Sequence, residues 1–271
     1  MSDSVRSVER ALDILLCFST EKPALSLTHI AEQVGMHKST THRLLSTLES
    51  KRFIVRDKST GLFRLGFLTV EMASIVLQDN HIQRWALPYL QQLSALSGET
   101  VDLAVLDYDH VVYLQVVESL QRVKIAAAVG ERLPVHCTAT GKAFLAYMPV
   151  SAVTRILTGE MPKYTECTLV TPEDLHQELL TVRRRGFAIS SQEYEHDINA
   201  VAAPILSSTG DPIAVIAIVG PSYRLTQECM LRFGPAIQDT AAAIAKEVGM
   251  AALSVMIPQK SEYQSDIFSK S

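Results

Sequence analysis

An α+β fold in two modules is what the sequence predicts, on three observations. The first third is basic and carries three short helical patterns followed by a hairpin. Beyond residue 99 the hydrophobic period falls from 3.6 to two. From there to about residue 248, strand patterns are mixed with helical ones and with hairpin turns.

Composition agrees with two modules. The chain has 271 residues, 47% of them hydrophobic, enough for one large or two modest cores. Residues 1–66 hold 10 Lys+Arg against 7 Asp+Glu, net +3, while residues 67–271 hold 15 against 22, net −7. Residues 36–66 alone carry seven basic and two acidic residues, net +5. This asymmetry implies modules with different partners. No apolar run approaches the ~20 residues that span a bilayer. The start, MSDSVRSVER, is polar and does not read as a signal peptide. Cys17, Cys137, Cys167 and Cys229 form no C-x-x-C pair and show no zinc-ligand spacing with histidine. The expectation is a cytoplasmic protein with reduced thiols, no membrane partner, no metal and no cofactor.

Residues 7–18 read as an amphipathic helix, with Val8, Leu12, Leu15 and Leu16 on one stripe and Glu9, Arg10 and Asp13 facing away. Pro23 lies in the break that follows. A second helix begins after Ser26, its N-cap, with Ile30, Ala31 and Val34 as the apolar side. His29 stands where a capping box has Glu or Gln. Gly35 supplies the backbone freedom of a tight turn. The next stretch is GMHKSTTHRLL, residues 35–45. On a helical wheel Thr41, Leu44, Leu45 and Leu48 form the core side. Ser39, His42, Arg43 and Ser46 point the other way, Lys38 and Thr40 flank them, and no carboxylate follows until Glu49. Residues 53–55 and 62–65 then read as strands around DKSTG, residues 57–61. Together these describe a winged helix-turn-helix over 1–66, with the motif itself over 27–46. Such a motif places its second helix in the major groove of double-stranded DNA, and Arg56, Lys58 and Arg64 bring the wing to the phosphates. A small helical subdomain with an ordinary charged surface is the alternative. The order of elements and the local charge favour DNA.

Residues 67–79 read as a linker helix whose stripe of Leu68, Met72, Ile75 and Val76 packs on a second copy or on its own domain. A helix over 81–96 stops at Gly98. Strands are expected at 100–106, 111–117, 123–129, 187–190, 199–206 and 212–219. Thr138 caps a helix over 139–147, with further helices near 151–158, 172–185 and 224–248 and a polar tail over 257–271. The domain over 80–256 is therefore a sheet covered by helices, which can cup a small ligand.

No coherent active site emerges, so an enzyme is not expected. Thr140-Gly141-Lys142 fails as a phosphate loop, because His136 stands where Gly is needed and Ala143 where Ser or Thr is needed. What remains is a set of N–H groups at Ala139, Thr140 and Gly141 that could hold a carboxylate. His136 and Cys137 are adjacent on an extended segment and point apart. Glu195, His196 and Asp197 read as a solvated loop, with Glu193 set apart from them.

Several stretches resemble the IclR family of bacterial transcription regulators, over nearly everything from Val5 to about Val248. RALDILLCF, LSLTHIAEQVGMHKSTTHRLLSTLE and FRLG resemble that family's winged helix-turn-helix. LPVHCTATGKAFLA, RRRGFAISSQEYEHDINAVAAPI and VIAIVGPSYRLT resemble its effector domain, with Gly186, Ser190, Glu193 and Ala200 at the spacing of the family signature. The resemblance implies a GAF-like second domain, homodimers or homotetramers on an operator, and a small organic-acid or aromatic effector that modulates repression or activation. It also implies that Lys38, Ser39, Thr40, Thr41, His42 and Arg43 meet DNA, with base edges for Arg43 and His42 and phosphates for Lys38 and the hydroxyls. The implied effector pocket comprises Ala139, Thr140, Gly141, Ser190, Glu193, Ile198, Ala200, Ala217 and Val219, with Ile125 as an apolar wall. This chain departs from better-known members at Ser190, Ala200, Ala217 and Val219, where they often have Asp, Cys, Ser and Ser. The effector is then less polar and larger than a two- or three-carbon acid, or this copy binds none.

Overall fold

In the computed structural model, the described residues are 5–256 apart from 20, 80, 81, 158 and 160. The expected polar tail over 257–271 and the expected starts at 80 and 81 lie outside them. The chain divides into two compact units, with the boundary between residues 80 and 81.

The first unit contains α1 (Arg6–Leu16), α2 (Leu27–Gln33), α3 (Lys38–Ser50), β1 (Ile54–Arg56), β2 (Phe63–Leu65) and α4 (Leu68–Asp79). Ser26 caps α2 by accepting from the His29 N–H at 3.2 Å. Gly35 turns the chain into α3 at φ 62°, a conformation that costs a residue with a Cβ. β1 and β2 pair antiparallel with Val55 opposite Arg64, and Leu25 exchanges two backbone hydrogen bonds with Phe63. The core joins Ile14, Leu25, Ile30, Leu45, Leu48, Ile54 and Phe63.

The outcome for α1 differs from expectation. Val8, Leu12 and Leu16, expected on the inward stripe, are exposed, while Ile14 and Cys17 are buried and Ala11 and Leu15 pack beside them. The apolar residues cover one broad arc of the helix, and the core takes only the edge of it that carries Ala11 and Ile14.

The second unit contains α5 (Ile82–Ser97), β3 (Thr100–Asp107), β4 (His110–Val117), β5 (Arg132–Pro134), α6 (Ala139–Leu145), α7 (Val150–Ile156), α8 (Pro172–Arg185), β6 (Ala188–Ser191), β7 (Ile198–Leu206), β8 (Pro212–Pro221) and α9 (Gln227–Met256). Its strands form one antiparallel sheet in the order β5-β4-β3-β8-β7-β6. Helices α5 and α9 pack on one face; α6 packs on the other with α8 beside it. With both faces covered, Val215, Ile216, Ala217 and Ile218 form a continuous buried run rather than an alternation of apolar and polar residues.

The strand expected at 123–129 is absent. That segment is irregular, and β5 takes the edge of β4 instead, pairing Val111 with Leu133. Ile125 and Ala127 still pack on the core, while Val123 and Val129 are exposed. Alternation reports which side chains face inward; it does not report whether a partner backbone lies within reach.

Leu45 is fully buried at the centre of the first unit. Leu45→Ala is expected to cost about 2–5 kcal/mol, read as a lower denaturant midpoint for loss of helix in a fragment or in the full chain.

Candidate DNA-facing surface and ligand cavity

Burial of one side of α3 sets the other side. Thr41, Leu45 and Leu48 are buried within the first unit. Lys38, Ser39, His42, Arg43 and Ser46 are thereby exposed, and Thr40 is half-buried. Thr41 was expected among the DNA-contacting residues, and its position corrects this. Its side chain is fully buried and its hydroxyl donates to the His37 carbonyl at 3.2 Å. Helical spacing carries position 41 to the same side as 45 and 48. His37 organises the first turn: its ring Nδ1 accepts from the Ser39 N–H at 3.3 Å and lies 2.7 Å from Ser39 Oγ. Sequence reasoning offers no cue to this cap, because histidine is not among the preferred N-cap residues.

On the wing, Arg56, Lys58 and Arg64 are exposed. Asp57 Oδ1 accepts from the Ser59 N–H at 2.8 Å, the Ser59 hydroxyl at 2.6 Å and the Thr60 N–H at 3.2 Å. The Ser59 hydroxyl and these N–H groups hold its carboxyl down at about 2. Asp57 thus stays ionised and shapes the turn. The Arg56 guanidinium lies 5.4 Å from the Phe63 ring centre, and its Nε donates to the Gly61 carbonyl at 3.4 Å. Arg52 is engaged elsewhere, in an ion pair with Glu71 at 2.8 Å.

In the second unit a cavity of about 50 Å³ lies between α6, the sheet and the loop after β6. Ala139, Thr140, Ser190, Ile198, Ala200, Ala217 and Val219 line it, as the pocket expectation has them. Tyr113, Leu133, Cys137, Thr138, Tyr194 and Glu195 complete the lining and were not expected. Tyr113 and Leu133 come from β4 and β5, and only sheet register brings them there. Three expected residues do not line the cavity. The half-buried Ile125 packs on the same core, and its carbonyl accepts from the Thr100 hydroxyl at 3.2 Å. Gly141 gives its N–H to Thr138 Oγ1 at 3.1 Å, and a Cβ there would sit 2.2 Å from the Val135 carbonyl oxygen. Its role is close packing, and one of the N–H groups expected for an anion is already used. Glu193 turns away to Lys142.

Lys142 is among the most buried side chains, only 1% exposed. Its Nζ donates to Glu193 Oε1 at 2.5 Å and lies 3.8 Å from Glu178. Burial raises the Glu193 carboxyl, and the Lys142 ammonium opposes that rise. Thr165 and Thr168 donate to the carbonyls of Gln192 and Glu193, each at 2.6 Å, pinning the loop whose next residues border the cavity. His136 and Cys137 make no nucleophile and base. The His136 ring bonds the Pro162 carbonyl at 3.0 Å and burial lowers its pKa, while burial pushes the Cys137 thiol up to about 12. Glu195, His196 and Asp197 are exposed, and the described residues contain no cluster that could hold a metal ion. No helix among them is long and apolar enough to cross a membrane.

A winged helix-turn-helix followed by a sheet domain with a small cavity defines a class, the DNA-binding transcription regulators. The matches narrow it. Residues 7–58 match the IclR helix-turn-helix domain, and residues 74–246 match the bacterial transcriptional regulator IclR C-terminal domain. The chain belongs to the IclR family. It is 33% identical over 250 residues to the transcriptional repressor IclR of Escherichia coli (strain K12), covering 91% of this chain and 90% of that one. Among solved structures, an IclR transcriptional regulator from Alicyclobacillus acidocaldarius has a TM-score of 0.77 at 30% identity, over 90% of this chain and 98% of that one. An IclR homolog from Microbacterium hydrocarbonoxydans, complexed with 4-hydroxybenzoate, shares the fold with a TM-score of 0.77 at 24% identity, over 90% and 99% of the two chains.

Lys142→Met leaves the Glu193 carboxyl buried without its cation and is expected to cost about 3–5 kcal/mol. The double variant Lys142→Met/Glu193→Leu is expected to recover most of that loss, measured as a mutant cycle in chemical denaturation.

Proposed function

We propose that this regulator grips its operator with the outward side of α3 and the wing, and that a small molecule entering the second unit's cavity modulates that grip. One observation supports the DNA reading most: Lys38, His42 and Arg43 are exposed on one side of α3, with no carboxylate there before Glu49. Arg43 and His42 are assigned to base edges in the major groove, and Lys38, Ser39 and Thr40 to phosphates. Arg56, Lys58 and Arg64 carry the wing along the backbone. Arg43→Ala is expected to cost about 1–3 kcal/mol of operator binding and to relax base preference at one position. Lys58→Ala should weaken binding alike on all sequences and flatten the salt dependence. Titrations on an operator and on scrambled DNA at two salt concentrations read both, and an Arg43→Ala protein with unchanged selectivity overturns the placement.

The proposed effector is a small organic or aromatic acid. Thr140 offers a hydroxyl to its polar end, Ser190 already gives its own to the Cys137 carbonyl, and Ile198, Ala200, Ala217 and Val219 offer apolar walls. At about 50 Å³ the cavity exceeds the ~10–15 Å³ one water needs but falls short of the ~150 Å³ that takes a benzene ring. An aromatic effector therefore has to displace side chains at the rim, where Tyr194 and Ile198 are half-buried. A ligand changes DNA affinity only through different affinities for two arrangements of the protein.

Self-association is the third part of the proposal. Val5, Val8 and Leu12 form an exposed apolar ridge along α1 at helical spacing, and Val70, Met72 and Ile75 are exposed on α4. Apolar ridges of this kind fit a second copy of the chain, and a dimer reads two half-sites at once. Val8→Glu/Leu12→Glu is expected to shift the protein toward monomer in sedimentation. Operator affinity should fall by at least tenfold while the helix content by circular dichroism stays unchanged.

A further inference from the structure

The sheet face that lines the cavity is apolar along one row: Val116, position 102, Ala217, Ala202 and Ala188 stand side by side in register across β4, β3, β8, β7 and β6. Position 102 breaks the pattern with Asp102. Its side chain is fully buried, and neither carboxylate oxygen has a hydrogen-bond partner among the described residues. Buried carboxyls are nearly always partnered, because losing water without a replacement bond is costly. Asp102 stands next to Ala217, a wall of the cavity, and lies within the electrostatic reach of Tyr113, another wall, and of Glu131. No Lys, Arg or His lines the cavity.

Resting on the effector reading above, we propose that Asp102 is the specificity-determining residue of the cavity and reads a hydroxyl or amino group on the effector. Asp102 does not itself line the cavity; its register neighbour Ala217 does, so the ligand's donor reaches the carboxyl only by entering beside that small side chain. Burial raises the Asp102 pKa well above the ordinary carboxylate range, with Glu131 adding to it, which favours the uncharged acid. An uncharged acid both accepts from a hydroxyl and donates to it, so pairing with Asp102 requires no charge on that end of the ligand. The small side chains at 200 and 217, where the family resemblance leads one to expect Cys and Ser, move the polar reading of the ligand from β7 and β8 to β3. A site that expects a hydrogen bond also rejects the analogue lacking it, since the buried group is then left unpaired.

Thermal shifts of the full chain with matched pairs test this: propanoate against lactate, and benzoate against 4-hydroxybenzoate. In the wild type, the hydroxyl-bearing member of at least one pair is expected to raise the midpoint more than its partner. Asp102→Leu is expected to raise the ligand-free midpoint, because it removes an unpaired buried acid, and to abolish the difference within that pair. Asp102→Asn, which keeps an acceptor, should preserve the difference at affinity reduced by about tenfold or less, the reduction expected for a weaker hydrogen bond. Equal shifts within both pairs, no shift from any of the four compounds, or a difference that survives Asp102→Leu overturns the assignment. Retention of the ligand-free protein on operator DNA, measured alongside, separates this failure from failure of the DNA-binding reading.

Discussion

Exclusion of one side of α3 from water is the constraint on which the first unit depends. Leu45 and Leu48 meet Ile14, Ile30, Ile54 and Phe63 in a single small core. Because the helix advances about 100° per residue, burying positions 41, 45 and 48 leaves 39, 42, 43 and 46 no course but outward. The hydroxyls and cations there need no special folding device. They are presented because the leucines are not, and the wing shares the same core through Phe63.

The second unit applies the same physics to a sheet. Both faces are covered, so nearly every strand residue is apolar, and each polar exception requires an account. Ser190 donates to the Cys137 carbonyl at 3.1 Å, Asn199 donates to the Leu225 carbonyl at 2.8 Å while its Oδ1 stays unpartnered, and in the loop after β6 Glu193 meets Lys142 through Oε1 alone. Asp102 has no partner for either oxygen among the described residues. The contrast separates groups that hold the fold together from one that the fold merely tolerates. The cavity lies where the two kinds meet, between the pinned loop after β6 and the sheet's apolar rows.

The buried Lys142–Glu193 pair carries a different role from the one the family signature suggested. Glu193 was expected to touch ligand, yet it faces the far side of the loop and ties that loop to α6. Residues that shape a cavity and residues that touch its contents can be neighbours in sequence, as Glu193 and Tyr194 are, because successive side chains diverge.

Local rules sufficed for much of this protein. The helix-turn-helix, its Ser26 cap and Gly35 turn, the wing, the hairpin of β3 and β4, the Thr138 cap and the outward set on α3 were all legible, because each depends on residues a few positions apart. The family resemblance added seven of the cavity's lining residues. Tertiary structure alone decided which edge of α1's broad apolar arc is buried. It also decided that 132–134 rather than 123–129 pairs with β4, and that Tyr113 and Leu133 reach the cavity. The solitude of Asp102 belongs with these. Each depends on which distant segments share a sheet edge or a core, and chain periodicity carries no information about partners a hundred residues away.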